Sequence, residues 1–550
     1  MDRALPEPSA LWGTRRHAQR TNCCGLAKPT EELIVPELAF DPRDPSAPTF
    51  AHGVASGDPL PDRVLLWTRV STDQPDVEVP WRVAHDEKLQ DVVASGTTTT
   101  DSSRDHTVKL DVPGLQPATT YFYGFEAGGD RSPVGRTRTA PDGAPHRLRL
   151  AFTACARYVD GYFNAYGRIA DRDDLDVVLH LGDYFYEYGN DPRLPGAEIG
   201  RVHVPDHELK SLEDYRTRYA QHRLDEDCQR LHRRHPTVHV FDDHEFADDR
   251  WREGADNHDE RVDGSWPDRA AAALQAWYEW LPVRMPDPDR PERIYRRLRY
   301  GDLADVIMID CRSWRDRQAV PPEMYDAGRE LLGPDQHAWL TERLRESTAV
   351  WKLVANPIMV GQVYTHLLPD WLHRPLAELG ILTEQGHGAS PDQWDGYPAA
   401  RDRLFSQVRR DRIRNLVFLS GDVHTAWAVH LLEDPTDTIE PLGVEFVTAS
   451  VTSQNLNEKL GDDERRRERD VEGEVMRDNP HVQWCEFDHH GYVLVHVTTE
   501  RLRAEWWFVD TVREPSDAER MESAWEVRTG TSRLYHVAGE ATARQPEQRA

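Results

Sequence analysis

Short apolar runs that stop abruptly at an acid, a thiol or a histidine recur along this chain, and they constrain its fold more than any other feature. The clearest is Leu175-Asp176-Val177-Val178-Leu179-His180-Leu181-Gly182-Asp183-Tyr184-Phe185-Tyr186-Glu187-Tyr188. An apolar, β-branched run predicts a strand buried on both faces, and the glycine lets the chain turn at once. Asp183 and Tyr186 are then left just past the strand's carboxyl end, where open α/β sheets tend to form their sites. Similar runs end at Cys155, at Asp242-Asp243-His244-Glu245, at Asn356 and at Ser420-Gly421-Asp422-Val423-His424. A single acid after a strand is an ordinary turn or helix-capping residue. Several on one sheet edge imply a shared site.

The runs divide the chain. Residues 1–47 are polar and dotted with proline, which predicts an irregular leader. Residues 48–141 read as an all-β unit. It has strands at Arg63–Val70, Val79–Ala84 and His106–Val112, and Gly114–Phe125 resembles the tyrosine-corner segment of a fibronectin III-like sandwich, with Tyr121 as the corner residue. No cluster of reactive side chains is visible in this unit, so a packing role is expected. From 147 to 512 strands alternate with helical stretches, including Asp214–His222, Ala270–Leu281, Asp335–Glu346 and Ala399–Asp411, which predicts an α/β catalytic domain. Residues 513–550 read as a polar, peripheral extension.

Composition narrows the function. A net charge of −29 argues against a general nucleic-acid or anionic-membrane binder. The six cysteines (Cys23, Cys24, Cys155, Cys228, Cys311 and Cys485) show no spacing of a zinc ribbon or a disulfide framework, so reduced thiols are expected for most of them. No apolar run is long enough to span a bilayer. Arg15-Arg16 is a twin arginine that lacks the apolar region of an export signal.

If Asp183, Asp242, Asp243 and Asp422 converge, their repulsion must be relieved, and bound cations do this while keeping the carboxylates ionised. Cys155, Tyr186, Asp183 and His424 form a mixed S/O/N donor set suited to iron or another transition metal. Asp243, Asp422 and a shared oxygen of Asp183 suit Ca²⁺, Mg²⁺ or Mn²⁺. A bridging Asp183 would set two metals about 3.5–4 Å apart, a spacing used in phosphoryl displacement.

Gly182-Asp183, Asp243-His244-Glu245 and Gly421-Asp422-Val423-His424 resemble the ordered blocks of the calcineurin-like metallophosphoesterases. Cys155 stands where an Asp-x-His block is usual, and Asp422 where most relatives have histidine. With Gly182–Glu187, His52–Pro59, Trp394–Pro398 and Asn479–His481, these departures resemble the alkaline phosphatase D (PhoD-like) branch. The resemblance implies a metallophosphoesterase-type β-sheet core flanked by helices, and hydrolysis of phosphomonoesters or phosphodiesters by a hydroxide at a mixed Fe³⁺/Ca²⁺ site, with Mn, Mg or Zn as alternatives. It places iron on Cys155, Asp183, Tyr186 and His424, and calcium on Asp183, Asp243 and Asp422. His244 would protonate the leaving oxygen or steady developing charge, and Arg157 would clamp phosphate. Asn356, Asp242 and Trp394-Asp395 are expected as supporting or wall residues. One departure is Phe246-Ala247-Asp248-Asp249, where relatives often carry asparagine. Relatives are often exported by the twin-arginine route, whereas this sequence as written is expected in the cytoplasm. The competing expectations are a catalytically silent metal-containing binding protein, or a hydrolase of non-phosphate esters on the same scaffold.

Overall fold

The computed structural model describes residues 41–364, 390–434, 440–460 and 471–537. Arg15-Arg16, Cys23, Cys24, most of the leader and much of the charged run 462–474 lie outside the described residues.

Two sheets face each other and helices cover their outer sides. The first is ten-stranded, and its centre holds Leu148–Thr153, Val177–His180, Pro236–His239 and Val54–Leu60, adjacent and parallel. The second is seven-stranded, with Ala304–Met308, Trp351–Ala355, Leu416–Ser420 and Gly443–Val447 parallel in that order. Strand alternation explains why the runs look uniformly apolar in sequence. Leu150, Phe152, Val177 and Leu179 meet Val306, Leu353, Val417 and Leu419 in the core between the sheets. Ala151 and Val178 turn outward to a layer containing Ile169, Tyr215, Tyr219 and Trp277. Val354 and Phe418 turn to the opposite layer, with Leu340, Leu344, Leu404 and Phe405. Each strand is therefore buried on both faces. Each fully buried Leu or Phe contributes roughly 1.5–3 kcal/mol by leaving water.

The N-terminal β unit is a sandwich, with Val64, Leu66, Val79, Val83, Tyr121 and Tyr123 in its core. Its Tyr121 hydroxyl accepts the Gln116 N–H at 2.8 Å, the local tie of a tyrosine corner. One of its sheets is not separate: Val54–Leu60, Arg63–Arg69 and Thr107–Pro113 form the outer end of the ten-stranded sheet, through pairing of Val54–Leu60 with Pro236–His239. Buried Asp58 locks the junction, accepting from Arg296 Nε at 3.0 Å and Nη2 at 2.8 Å, while Nη2 also reaches the His239 carbonyl at 2.9 Å. The C-terminal segment adds further strands, with Glu519–Arg528 pairing along Arg501–Val509 and Leu534–His536 lying beyond it. Among the described residues no helix is long and apolar enough to cross a membrane.

Candidate active site

The parallel strands of both sheets end at one edge, where a bridge between Ala154 and Ser450 joins the sheets. Gly182 makes the first turn possible: its φ is +109°, and a Cβ there would lie 2.5 Å from Asp242 Cβ. A side chain at Gly421 would meet Ala154 Cβ at 2.6 Å. These close approaches bring the loops together.

The edge is conformationally strained. Cys155 (φ 62°), Asp183 (53°), Asp422 (67°) and His424 (57°) all occupy left-handed backbone, which costs about 1–3 kcal/mol per residue. Hydrogen bonds hold them there. The Cys155 carbonyl accepts from Ser453 Oγ at 2.9 Å, and its N–H donates to Gly182 at 3.1 Å. Ala156 N–H donates to the Asp183 carbonyl at 2.8 Å. The buried Glu245 carboxylate receives the N–H groups of Asp183, Tyr184 and Asp242 at 3.0, 2.9 and 2.9 Å, fastening two of the ligand-bearing loops to one anion.

Among the described residues, three donor clusters share Asp183: the two described next, and one that it forms with Asp243 and His244. In the first, ligand atoms of Cys155, Asp183 and His424 lie within 4.8 Å of one another. The Tyr186 hydroxyl stands 3.0 Å from Asp183 Oδ2 and 2.9 Å from His424 Nε2. His424 Nδ1 lies 2.8 Å from the Gln454 carbonyl, which fixes a proton on Nδ1 and leaves the Nε2 lone pair facing the cluster. In the second, Asp183, Asp242, Asp243 and Asp422 lie within the same limit. Asp183 Oδ1 is buried without a hydrogen-bond partner. Burial, then the neighbouring Asp183 and Asp422 charges, push the Cys155 thiol up. Burial, then Asp183 and Cys155, do the same to the Tyr186 phenol. Burial also raises Asp183, Asp242 and Asp422, reinforced by neighbouring carboxylates, while Arg312 opposes the rise at Asp242 and Asp422. With no cation the edge favours protonated acids; a bound cation reverses that preference. The residues present therefore fit a metal pair: sulfur, phenol oxygen, imidazole and carboxylate on one side, carboxylates on the other.

His244 sits beside both clusters. Its Nδ1 lies 2.8 Å from Glu187, a fully buried carboxylate that also receives Asp248 N–H at 2.7 Å and Asn257 Nδ2 at 2.6 Å. Burial alone would lower the His244 pKa, but Asp243, Glu187 and Asp183 raise it well above its ordinary value. Arg157 lies over the rings of Tyr186 and Tyr188, 5.6 and 5.1 Å from their centroids, and its Nη1 is 3.9 Å from Asp160.

The structure also places groups that sequence reasoning did not single out. Arg312, fully buried after Ala304–Met308, donates to Asp242 through Nε and Nη2, and its Nη2 lies 3.0 Å from Asp422. Asp392 and Gln393 complete this wall, and Glu187 and Glu245 act from behind. Arg312 follows an apolar run and carried that signal, but nothing local distinguishes it from a surface arginine. Asp248 and Asp249 come beside Asp243, within 4.8 Å of one another at their ligand atoms. Asn356 lies in a closed polar joint: its Oδ1 is contacted by Cys311 Sγ at 3.1 Å and Trp394 Nε1 at 3.2 Å, and its amide donates to Ser420 Oγ at 3.0 Å. Asp395 accepts Val363 N–H at 3.1 Å.

The two-sheet core and the donor-rich edge define a mixed α/β protein of the metallophosphoesterase class. Residues 150–506 match the family model described as PhoD-like phosphatase, and residues 37–141 match that of its N-terminal domain. Alkaline phosphatase D of Bacillus subtilis (strain 168) is 36% identical over 491 residues, 85% of this chain and 79% of the relative. A solved structure described as "Structure of PhoD" superposes with a TM-score of 0.79 at 32% identity, covering 90% of this chain and 93% of that one. The chain belongs to the PhoD-like phosphatase family, whose chemistry is phosphoester hydrolysis.

Proposed function

We propose that this enzyme hydrolyses phosphomonoesters or phosphodiesters of small molecules or polymers at a mixed two-metal site. The observation that carries the reading is the pair of donor clusters sharing Asp183, set beside a histidine held by a buried carboxylate. Cys155, Asp183, Tyr186 and His424 would hold iron, because thiolate and phenolate donors favour a strong transition-metal Lewis acid. Asp183, Asp243 and Asp422 would hold calcium through hard oxygen donors. Such cations supply Lewis acidity and make hydroxide available near neutral pH.

The chain's own groups do the rest. Glu187 holds His244 through Nδ1, so Nε2 is left to carry a proton toward the leaving oxygen. The Glu187 carboxylate beside Nδ1 favours the protonated imidazole. Arg157, partly open and stacked on Tyr186 and Tyr188, presents its planar fork to the non-reacting phosphate oxygens. Burial of Cys155, Asp183 and Tyr186 excludes bulk water from the inner side, while Asp422 and His244 border the open side.

The test is hydrolysis of chromogenic phosphomonoesters and phosphodiesters, with a carboxylic ester as control, with calcium and iron supplied. Wild type is compared with Asp183→Ala and His244→Ala. Activity confined to phosphate esters and lost in both variants is expected. Equal activity in all three proteins would refute the site.

A further inference from the structure

We infer that Arg312 is a built-in cation that assembles the carboxylate half of the site before any metal enters. This rests on the metal-binding reading above. Arg312 is fully buried, and its guanidinium is surrounded by acids: Asp242 at Nε and Nη2, Asp392 at 2.7 Å from Nη1, Asp422 at 3.0 Å and Asp243 at 3.3 Å from Nη2. These acids come from three separate parts of the chain, and two of them are proposed metal ligands. Arg312 is itself aimed by its own turn. Asp310 Oδ1 accepts the N–H groups of Arg312 and Ser313, both at 2.9 Å, and Asp310 N–H is tied to Gln336 at 2.8 Å, on the helix Gly333–Glu346. Behind Asp392 stands Arg315, fully buried and 2.7 Å away.

Charge explains what this does. Asp242, Asp243, Asp392 and Asp422 face only two guanidiniums, Arg312 and Arg315, so acids outnumber buried cations here before the shared Asp183 and the neighbouring Asp249 are counted. That excess of acids suits a bound cation. Buried like charges repel strongly when unpaired, so without Arg312 the wall would splay or take up protons until metal arrived. A planar fork also fixes direction, because each carboxylate must meet a particular N–H edge. Asp242 is thereby drawn to the arginine through both oxygens, while Asp243 and Asp422 each meet it through Oδ1 alone; their Oδ2 atoms accept the Asp249 N–H at 2.6 Å and the Gln393 side-chain amide.

The test uses the full chain, stripped of metal by a chelator, and follows thermal unfolding with and without calcium. Wild type is compared with Arg312→Lys, Arg312→Gln and the double variant Arg312→Gln/Asp242→Asn. The metal-free Arg312→Gln protein is expected to melt below metal-free wild type, and calcium is expected to raise its Tm by more than it raises that of wild type, because the ion then relieves repulsion that the arginine no longer does. Arg312→Lys should fall between them, since it keeps the charge and loses the fork. Removing the Asp242 charge should recover part of the metal-free loss. If Arg312→Gln does not fold, the lysine and double variants carry the same comparison. A merely structural arginine would lower both melting temperatures equally and leave the calcium-induced shift unchanged; that result overturns the inference. A wild type that does not respond to calcium would instead overturn the metal reading, and this inference with it.

Discussion

The two halves of the site share Asp183 but meet the problem of buried charge in opposite ways. The Asp242–Asp243–Asp422 half carries its own guanidinium, with Arg312 in contact with all three acids. Around Cys155, Tyr186 and His424, among the described residues, the cations are Arg157, which meets Tyr186 through the face of its ring at 5.6 Å, and Lys459, whose charge adds to burial in lowering the His424 pKa. That half is neutral without metal: a thiol and a phenol both pushed upward, and an imidazole whose pKa burial pushes well down. One half is therefore organised in advance by a permanent charge. The other stores its charge as protons, which metal must displace. The proposed mixed-metal reading rests on this difference between the two donor sets.

The largest expected effect comes from breaking what the halves share. Asp183→Ala should lower kcat/KM by on the order of 10³-fold or more with phosphate esters, and metal analysis should show loss at both positions. Next, Tyr186→Phe separates the halves. The wild type loaded with ferric iron should show a visible phenolate-to-iron band that the variant lacks. Iron affinity should fall by about 10–100-fold while calcium binding is retained. Equal loss of both metals would mean that the halves are not independent.

Proton release sharpens the contrast at intermediate scale. Because the Cys155 thiol and Tyr186 phenol are raised in the metal-free protein, loading that half should liberate their protons, and its affinity should fall steeply as pH drops. Calorimetry in buffers of different ionisation enthalpy should find more protons released by iron than by calcium.

The pH profile probes His244, which lies between the halves. Against burial, Glu187 raises its pKa, so the proton used for leaving-group protonation is held to higher pH than on a free imidazole and is lost as pH rises through the folded value. Glu187→Gln removes one of the carboxylates responsible, so the alkaline limb of the kcat/KM profile should move to lower pH. Its stability counterpart has the same sign: the contribution is fully present below the unfolded value and lost as pH rises through the raised one. The smallest effect is expected from Arg157→Lys, which keeps charge but loses the fork; KM should rise several-fold with little change in kcat.

Much of this was legible in the chain. Runs such as Val177–His180 and Leu416–Ser420 declared strands buried on both faces, because burial on both faces removes the polar alternation that a half-exposed strand must keep. Their terminal residues pointed to a common edge because parallel strands in a sheet share direction. The joining of the N-terminal sandwich to the catalytic sheet was not legible, since the pairing of Val54–Leu60 with Pro236–His239 depends on two segments far apart in sequence. Nor was the strand Glu519–Arg528, whose charged residues resemble those of a loose tail until Arg501–Val509 supplies a partner.

The same division holds at the site. The sequence by itself determined which donor types this protein can offer: a thiol, a phenol, imidazoles and carboxylates at strand ends, each announced by a local turn. Only the tertiary structure decided which of them meet and what neutralises them. Arg312 and Asp242 are linked by Coulomb attraction across 70 residues, and the Glu245 carboxylate gathers N–H groups from two loops. Local pattern records the cost of burying each strand. The compensation of buried charge is a property of the assembled edge, because electrostatic partners act through space and leave no periodic trace in the chain.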